Sequence, residues 1–336
     1  MGFTVHYAYD DEWRMISWND ANGTRIIKNS YDEEGRVVEQ VDSAGGVSLL
    51  EYGDGFTRAT NAAGYVTLYF YDDQYRTTHI AYPDGWEIDR AYDSEGNLVS
   101  DENGSYVYDE QGNRTSVTVD GHTTIYSYDE KGRLIETTEP DGTITTNGYD
   151  DQGNLSWTAS NAGAATSFTY DSFGRCLSSI DADGVRELYG WEKGWRTSVT
   201  DGLGNTTVYA YDPMGRCISS TDALGNTSRT IYDAAGRITA EQDATGSYSA
   251  YELDAVGLLL SVTDPRGYIT RFTYDAAYNM SSMTDASGAV TSYSYDIMGH
   301  EVSTTSTRGA EGYKTYDKRG RLASLIDEEG GTTTYS

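Results

Sequence analysis

The sequence has no apolar run near the ~20 residues that a bilayer-spanning helix needs. Residues 1–30 also lack the run of about 7–15 apolar residues found in a signal peptide. Insertion by an apolar helix is therefore excluded, and an exported protein would be expected to carry its signal outside this chain. Stretches of Leu, Ala, Glu and Lys at helical spacing are missing too. The four histidines, His6, His79, His122 and His300, are scattered and form no His-x-x-x-His pair. Metal binding and acid–base catalysis thus lose their usual ligands and bases, and no cofactor is expected. Cysteine occurs twice, at Cys176 and Cys217. Along a flat ribbon of the kind derived below, about 19 Å would separate them, whereas a disulfide needs Cα atoms within about 7 Å. Two separate, partly buried thiols are expected. Positive charge is also short: 24 Lys and Arg against 53 Asp and Glu leave a net charge of −29. Such a chain repels phosphate backbones and anionic lipid, which excludes nucleic acid and membrane surfaces as partners.

What the chain has in excess is tyrosine and glycine, 30 and 37 residues, with Ser, Thr and Asp making up much of the rest. Tyr and Thr favour strands, and Gly and Asp favour turns, so the composition is that of an all-β protein. Tyr-Asp pairs occur thirteen times, from Tyr9 to Tyr316, at a spacing of 21 residues through most of the chain. Many continue as x-x-Gly-Arg or x-x-Gly-Asn. Examples are Tyr31-Asp32-Glu33-Glu34-Gly35-Arg36, Tyr128-Asp129-Glu130-Lys131-Gly132-Arg133 and Tyr211-Asp212-Pro213-Met214-Gly215-Arg216. Degenerate slots at Tyr52-Gly53, Gly190-Trp191 and Leu253-Asp254 bring the count to sixteen. A second signal, Asp-x-x-Gly, lies between the pairs, as at Asp222–Gly225 and Asp264–Gly267.

Both four-residue signals have the chemistry of one turn. The first Asp accepts hydrogen bonds from the amides of its own turn, and the Gly takes positive φ and restarts the strand through a bulge. Pro213 and Pro265 sit just after the turn Asp, where a fixed φ suits a type I turn. Pro140-Asp141-Gly142 and Pro83-Asp84-Gly85 read as shorter variants. One repeat is then turn, strand, turn, strand, and successive repeats meander as an antiparallel ribbon. A second aromatic often precedes the repeat Tyr by two residues, as at Tyr126, Phe168 and Tyr209, which puts both rings on one face and predicts aromatic ladders. The Arg after the turn Gly can lie over a Tyr face or pair with a turn Asp.

The chain resembles the RHS/YD-repeat family over essentially its whole length. That resemblance implies an all-β fold: a repetitive antiparallel β-hairpin ribbon that spirals into an open shell. It also implies a non-enzymatic role, as the wall around a C-terminal toxin or other cargo of the same polypeptide, in a secreted or cell-surface protein. In the family a core segment after the repeats carries autoproteolysis. Asp264-Pro265-Arg266-Gly267 looks like part of that motif but lies in register with the ordinary turns, and is read as a turn. Residues 1–336 are expected to form a single array cut from a larger protein, since Met1-Gly2 falls inside a strand and Tyr335 falls just before an unfilled Tyr-Asp slot. Sixteen repeats give about 32 strands and a ribbon roughly 150 Å long, which is one open turn at most.

The alternative function is an extracellular adhesion or carbohydrate-binding module. Its candidate residues are Trp191 and Trp195, which cluster in the repeat that breaks the pattern and offer stacking surfaces for a glycan. They serve equally well as fillers of the aromatic ladder. The residues that define the repeat are Tyr31, Asp32, Gly35 and Arg36, then Tyr128, Asp129, Gly132 and Arg133, then Tyr211, Asp212, Gly215 and Arg216.

Overall fold

A computed structural model describes residues 4–309, 311–327 and 329–335, so the Met1-Gly2 start lies outside it. Among the described residues every regular element is a β-strand, 34 in all. Nine strands, from His6–Tyr9 to Glu87–Asp89, form one sheet, and twenty-five, from Ala91–Tyr92 to Thr332–Thr334, form another. Within each sheet, each strand bonds to its neighbours in sequence, without crossovers. The described registers are antiparallel. The chain is thus the all-β meander that its composition and punctuation imply.

The turn at Asp129 shows why the spacing folds this way. Gly132 donates its N–H to the Asp129 carbonyl, and Asp129 donates its own to the Arg133 carbonyl, both at 2.9 Å. The Asp129 Oδ1 accepts from the N–H groups of Lys131 and Arg133 at 2.9 and 3.0 Å. Gly132 has φ 74°, the left-handed region that glycine enters without penalty. Pairing then skips from Ser127↔Glu136 to Tyr128↔Leu134, a bulge at the repeat Tyr. On the opposite edge the Asp222 turn closes with the same bonds, yet Thr221↔Thr227 continues the register without a skip. In the 25-stranded sheet the two edges therefore differ in how the strands leave their turns.

The proline variants are not shorter. Gly142 donates to the Glu139 carbonyl and Gly85 to the Tyr82 carbonyl, so these are full four-residue turns with proline second and Asp third. Glu139 and Tyr82 take the first position, which the sequence pattern hid because neither is an Asp. Asp264–Gly267 is likewise an ordinary turn, with Gly267 bonded to the Asp264 carbonyl at 2.9 Å.

The sheets have very little interior. Among the described residues the buried hydrophobic side chains are Ile80, Ile88 and Ala240. Most side chains on strands are half-buried, and strands such as Thr206–Tyr211 mix half-buried and exposed positions. By contacts the chain divides into two compact units. Unit 1 comprises Met1–Ile88, Ile231–Glu241 and Tyr248–Ser336, and unit 2 comprises Asp89–Thr230 with Gln242–Ser247.

Gly225 has φ +87°, and no atom lies within 4 Å of where a Cβ would stand, so Gly225→Ala introduces backbone strain without a clash. A loss of about 1–2 kcal/mol is expected in a denaturant melt, with Gly225→Asn milder. An alanine variant as stable as the parent would show that this turn does not require the left-handed conformation.

Candidate functional site

One side-chain unit recurs along the Tyr-Asp edge. In it Asp129 Oδ2 accepts from Arg133 Nε at 2.7 Å. The Arg133 guanidinium lies 4.5 Å from the ring centroid of Tyr149, the next repeat tyrosine. The Tyr149 hydroxyl donates back to the Leu134 carbonyl at 2.8 Å. Asp32, Arg36 and Tyr52 repeat the arrangement, with 2.8 Å for the Asp–Arg bond, 4.5 Å for the stack and 2.8 Å from the hydroxyl to the Val37 carbonyl. The Tyr31 hydroxyl donates to Met15 O, under Arg14, and the Tyr128 hydroxyl to Arg114 O. One arginine thus does both things the sequence suggested, pairing with its own turn and covering the next tyrosine.

Successive repeat tyrosines therefore do not stack on one another. Repeat tyrosines are two strands apart, about 10 Å, too far for ring contact. A cation from the intervening turn fills the gap, as does Arg114, which sits 5.7 and 5.8 Å from the rings of Tyr106 and Tyr126.

Departures from the pattern keep the geometry. His300 occupies an Arg position, pairs with Asp296 Oδ2 across 3.0 Å and stacks on Tyr316 with centroids 4.6 Å apart. Asn154 replaces Arg at Asp150, with Nδ2 donating to Oδ2 at 2.9 Å. Trp191 stands in a tyrosine position, and its Nε1 donates to the Cys176 carbonyl at 2.7 Å, beneath Arg175. Trp195 stands in the arginine position and stacks on Tyr211 at 5.5 Å. The Tyr211 hydroxyl donates to Arg196 O at 2.8 Å. Asp212 holds Arg216 Nε at 2.6 Å, and Gly215 has φ +83° with the Trp195 ring 2.8 Å from where a Cβ would stand. Both tryptophans are half-buried. Neither Cys176 nor Cys217 forms a disulfide, and burial raises the pKa of Cys176.

At Asp72, Asp129 and Asp171 these bonds favour the ionised carboxylate. At Asp129 and Asp171 the bonded guanidinium of Arg133 or Arg175 does most to lower the pKa, and at Asp72 the backbone N–H of Arg76 does.

The structure also brings together residues that the repeat pattern did not single out. Within unit 1, turns of residues 20–85 meet Tyr-Asp turns of residues 254–321. Asp84 forms an ion pair with Arg319, whose Nε lies 2.6 Å from Oδ2, and accepts a hydrogen bond from Arg321 at 3.2 Å. Arg319 also lies over Trp86 and Tyr82, 5.1 and 5.7 Å from their centroids. Asn22 Nδ2 donates to Asp254 Oδ2 at 2.8 Å, and the Tyr278 hydroxyl donates to the buried Asp20. Burial and that bond raise the pKa of Tyr278. Tyr278 stands where most turns have glycine and takes φ 69° to do so. That misplaced tyrosine, and Arg319 at the tip of its turn, were the available sequence signals. The expectation of one open turn at most allowed no such meeting of edges.

Six segments, residues 108–144, 149–186, 191–227, 215–248, 254–290 and 279–311, match the model of the RHS repeat and together cover more than half of the chain. The chain belongs to the RHS repeat family. No curated protein matches it in sequence. Its fold is similar to that of solved TcdB2-TccC3-Cdc42, with a TM-score of 0.80 and 16% identity over 95% of this chain and 21% of that one. It is similar also to TcdB2-TccC3, with a TM-score of 0.75 and 18% identity over 96% of this chain and 21% of that one. A Photorhabdus luminescens Tc holotoxin pore gives a TM-score of 0.62 and 16% identity over 98% of this chain and 23% of that one. The chain spans about a fifth of the length of these structures.

Tyr149→Phe keeps the ring under Arg133 and removes only the hydroxyl bond, so a loss of about 1 kcal/mol is expected in a denaturant melt. No change would show the bond to be replaced by water. Because the folded pKa of Asp129 and Asp171 is depressed, their contribution is complete above the unfolded value of about 3.9 and is lost as pH falls below it. The melting temperature followed by circular dichroism should hardly respond to these groups between pH 7 and 5 and should fall below about pH 4. A fall already complete at pH 5 would assign acid sensitivity to other residues.

Proposed function

We propose that these repeats form part of the wall of a shell that encloses a C-terminal toxin or other cargo of the same polypeptide, in a secreted or cell-surface protein. The role is structural rather than catalytic, and the repeats act as one array within a larger polypeptide. Family membership and the fold likeness support a cargo-enclosing shell.

The observation that carries the reading furthest is the face of unit 2 opposite the repeat tyrosines. Cross-strand registers place Val107, Ser116, Ile125 and Thr138 in one row. Further rows run Trp157, Ser167 and Ile180, and Ser198, Val208 and Thr221. Val107, Ile125, Trp157, Ile180, Leu188 and Val208 are exposed. The Trp157 row continues to Arg186, and Glu136 and Arg229 lie on the same face, but Ser, Thr and apolar residues far outnumber these charges, although the chain as a whole has a net charge of −29. Most acidic residues of this unit lie at the turns, and most of the broad surface is Ser, Thr and aliphatic groups. A neutral lining of this kind touches an enclosed polypeptide without binding it strongly by charge.

Limited proteolysis of the whole polypeptide that carries these repeats tests the reading. The segment after the repeats should be cut much more slowly there than when expressed alone. Equal rates would remove the shell.

A second reading, a glycan-binding surface, rests on a hollow of about 270 Å³ beside Trp195, lined also by Lys193, Tyr209 and Tyr211. If it holds, the chain binds members of a glycan array and Trp195→Ala abolishes that binding. An array with no bound member ends it.

A further inference from the structure

Within unit 1 the contact between Asn22 and Asp254 completes a turn that lacks a donor of its own. In the turns at Asp129, Asp150 and Asp296, the carboxylate Oδ2 is paired with the residue four places on: Arg133, Asn154 and His300. At Asp254 that residue is Leu258, whose side chain has nothing to donate. Oδ1 of Asp254 accepts from the N–H groups of Val256, Gly257 and Leu258, and Oδ2 accepts from Asn22 Nδ2 at 2.8 Å. A residue 232 places away therefore supplies the bond that the turn omits. The Tyr278 hydroxyl bonds Asp20 of the same Asp20–Gly23 turn, so two of the bonds between the edges end on these four residues.

Asn22 is followed by Gly23, and Asn-Gly is the pair in which an asparagine most readily loses its amide. Glycine carries no side chain, so its nitrogen can approach the preceding side-chain carbonyl. At Gly23 no atom beyond its chain neighbours lies within 4 Å of where a Cβ would stand, and both residues are exposed. One bond restrains the nitrogen, from the Gly23 N–H to the Asp20 carbonyl at 3.0 Å. The other Asn-Gly pairs are Asn103-Gly104 and Asn147-Gly148. Asn147 is half-buried in a strand, its Nδ2 donates to the Leu134 carbonyl at 3.2 Å, and the Trp157 ring stands 2.0 Å from where a Gly148 Cβ would lie. Asn103 is exposed at a hairpin tip of unit 2, and its Nδ2 bonds only Asp101, at 3.4 Å.

We propose that Asn22 is a modification site at which the chain converts its own amide to a carboxylate and thereby releases the contact between the edges of unit 1. The Gly23 nitrogen gives up its proton and attacks Cγ of Asn22. The bond from Cγ to Nδ2 breaks, and the amide leaves as ammonia with that proton. Water then opens the five-membered ring, breaking either bond to the ring nitrogen, and leaves aspartate or isoaspartate. One water enters, one ammonia departs, and nothing is oxidised. The donor to Asp254 Oδ2 is then gone, and a carboxylate stands in its place between Asp254 and the buried Asp20. Like charges so placed repel, and the acceptor on Asp254 is left without its partner. The nearby Arg237 is committed elsewhere: Nε bonds Asp233 Oδ2, and Nη1 bonds the Asp254 and Ala255 carbonyls. Isoaspartate also lengthens the turn backbone. The inference concerns the contact itself and stands independently of what a shell would enclose.

The test incubates the full chain in mildly alkaline buffer and follows two quantities over time. Peptide mass spectrometry reads acid and isoaspartate at each Asn-Gly pair, and hydrogen exchange reads protection of the turns at Asp254–Leu258 and Asp275–Asn279. Asn22 and Asn103 should convert and Asn147 should not. Protection of both turns should fall about tenfold with the time course of Asn22, as expected for loss of one hydrogen bond to a charged group. Asn22→Asp should lack that protection from the start. Asn22→Gln, which does not form the five-membered ring readily, should keep its initial protection through the same incubation while Asn103 converts. An Asn22 that stays an amide after Asn103 has converted overturns the proposal. So does full conversion of Asn22 with protection of both turns unchanged, or a Gln variant that loses protection as fast as the parent.

Discussion

Everything in this structure depends on holding strands side by side with almost no interior. A sheet one layer thick cannot bury enough apolar surface to stabilise itself as a globular domain does. The substitute is the link from turn aspartate to arginine, from arginine to the next tyrosine, and from that hydroxyl to the preceding strand. Each bond is modest: an exposed ion pair contributes little, and a cation over a ring or a hydroxyl bond about 1 kcal/mol. Their value lies in coupling, because each link ties a turn to the repeat after it. Stability then accumulates between neighbours along the chain, as in other repeat proteins. Arginine suits the middle position because its planar head can stack on the ring while its edge bonds a carboxylate. Histidine at 300 and tryptophan at 195 keep the flat shape, which explains why the array tolerates them.

The same economy gives the ribbon two unlike edges and two unlike faces. Charge is concentrated at the turns, where aspartate is needed to close them. In unit 2 the face away from the tyrosines carries few charges. The proposed wall would need these properties: edges able to engage other edges, and a broad surface that does not grip what it covers. Unit 1 shows one such engagement, with Asp84 held by Arg319 and Arg321.

Much of this was legible from the order of residues. Tyr-Asp-x-x-Gly-Arg fixed where each hairpin turns, because the aspartate, the glycine and the spacing act within six residues. The position of Pro140 misled, since Glu139 in the first place concealed a full turn. Arginine's two partners were foreseen separately, but their union on one side chain was not, because the second partner lies a whole repeat away. Trp191 and Trp195 drew attention as a break in the pattern. In the fold they occupy its two regular positions, with Trp191 bonded to the Cys176 carbonyl as a repeat tyrosine would be.

The sequence by itself determined the strands, the turns, the antiparallel order and membership of a repeat family, since all of these follow from interactions between residues close along the chain. Only the tertiary structure decided which edges meet. Asp20 and Tyr278 are 258 residues apart, and Asp84 and Arg321 237. Their encounter depends on the twist and bend summed over every intervening strand. A small change per strand, too slight to read from any one repeat, moves the meeting point by several turns.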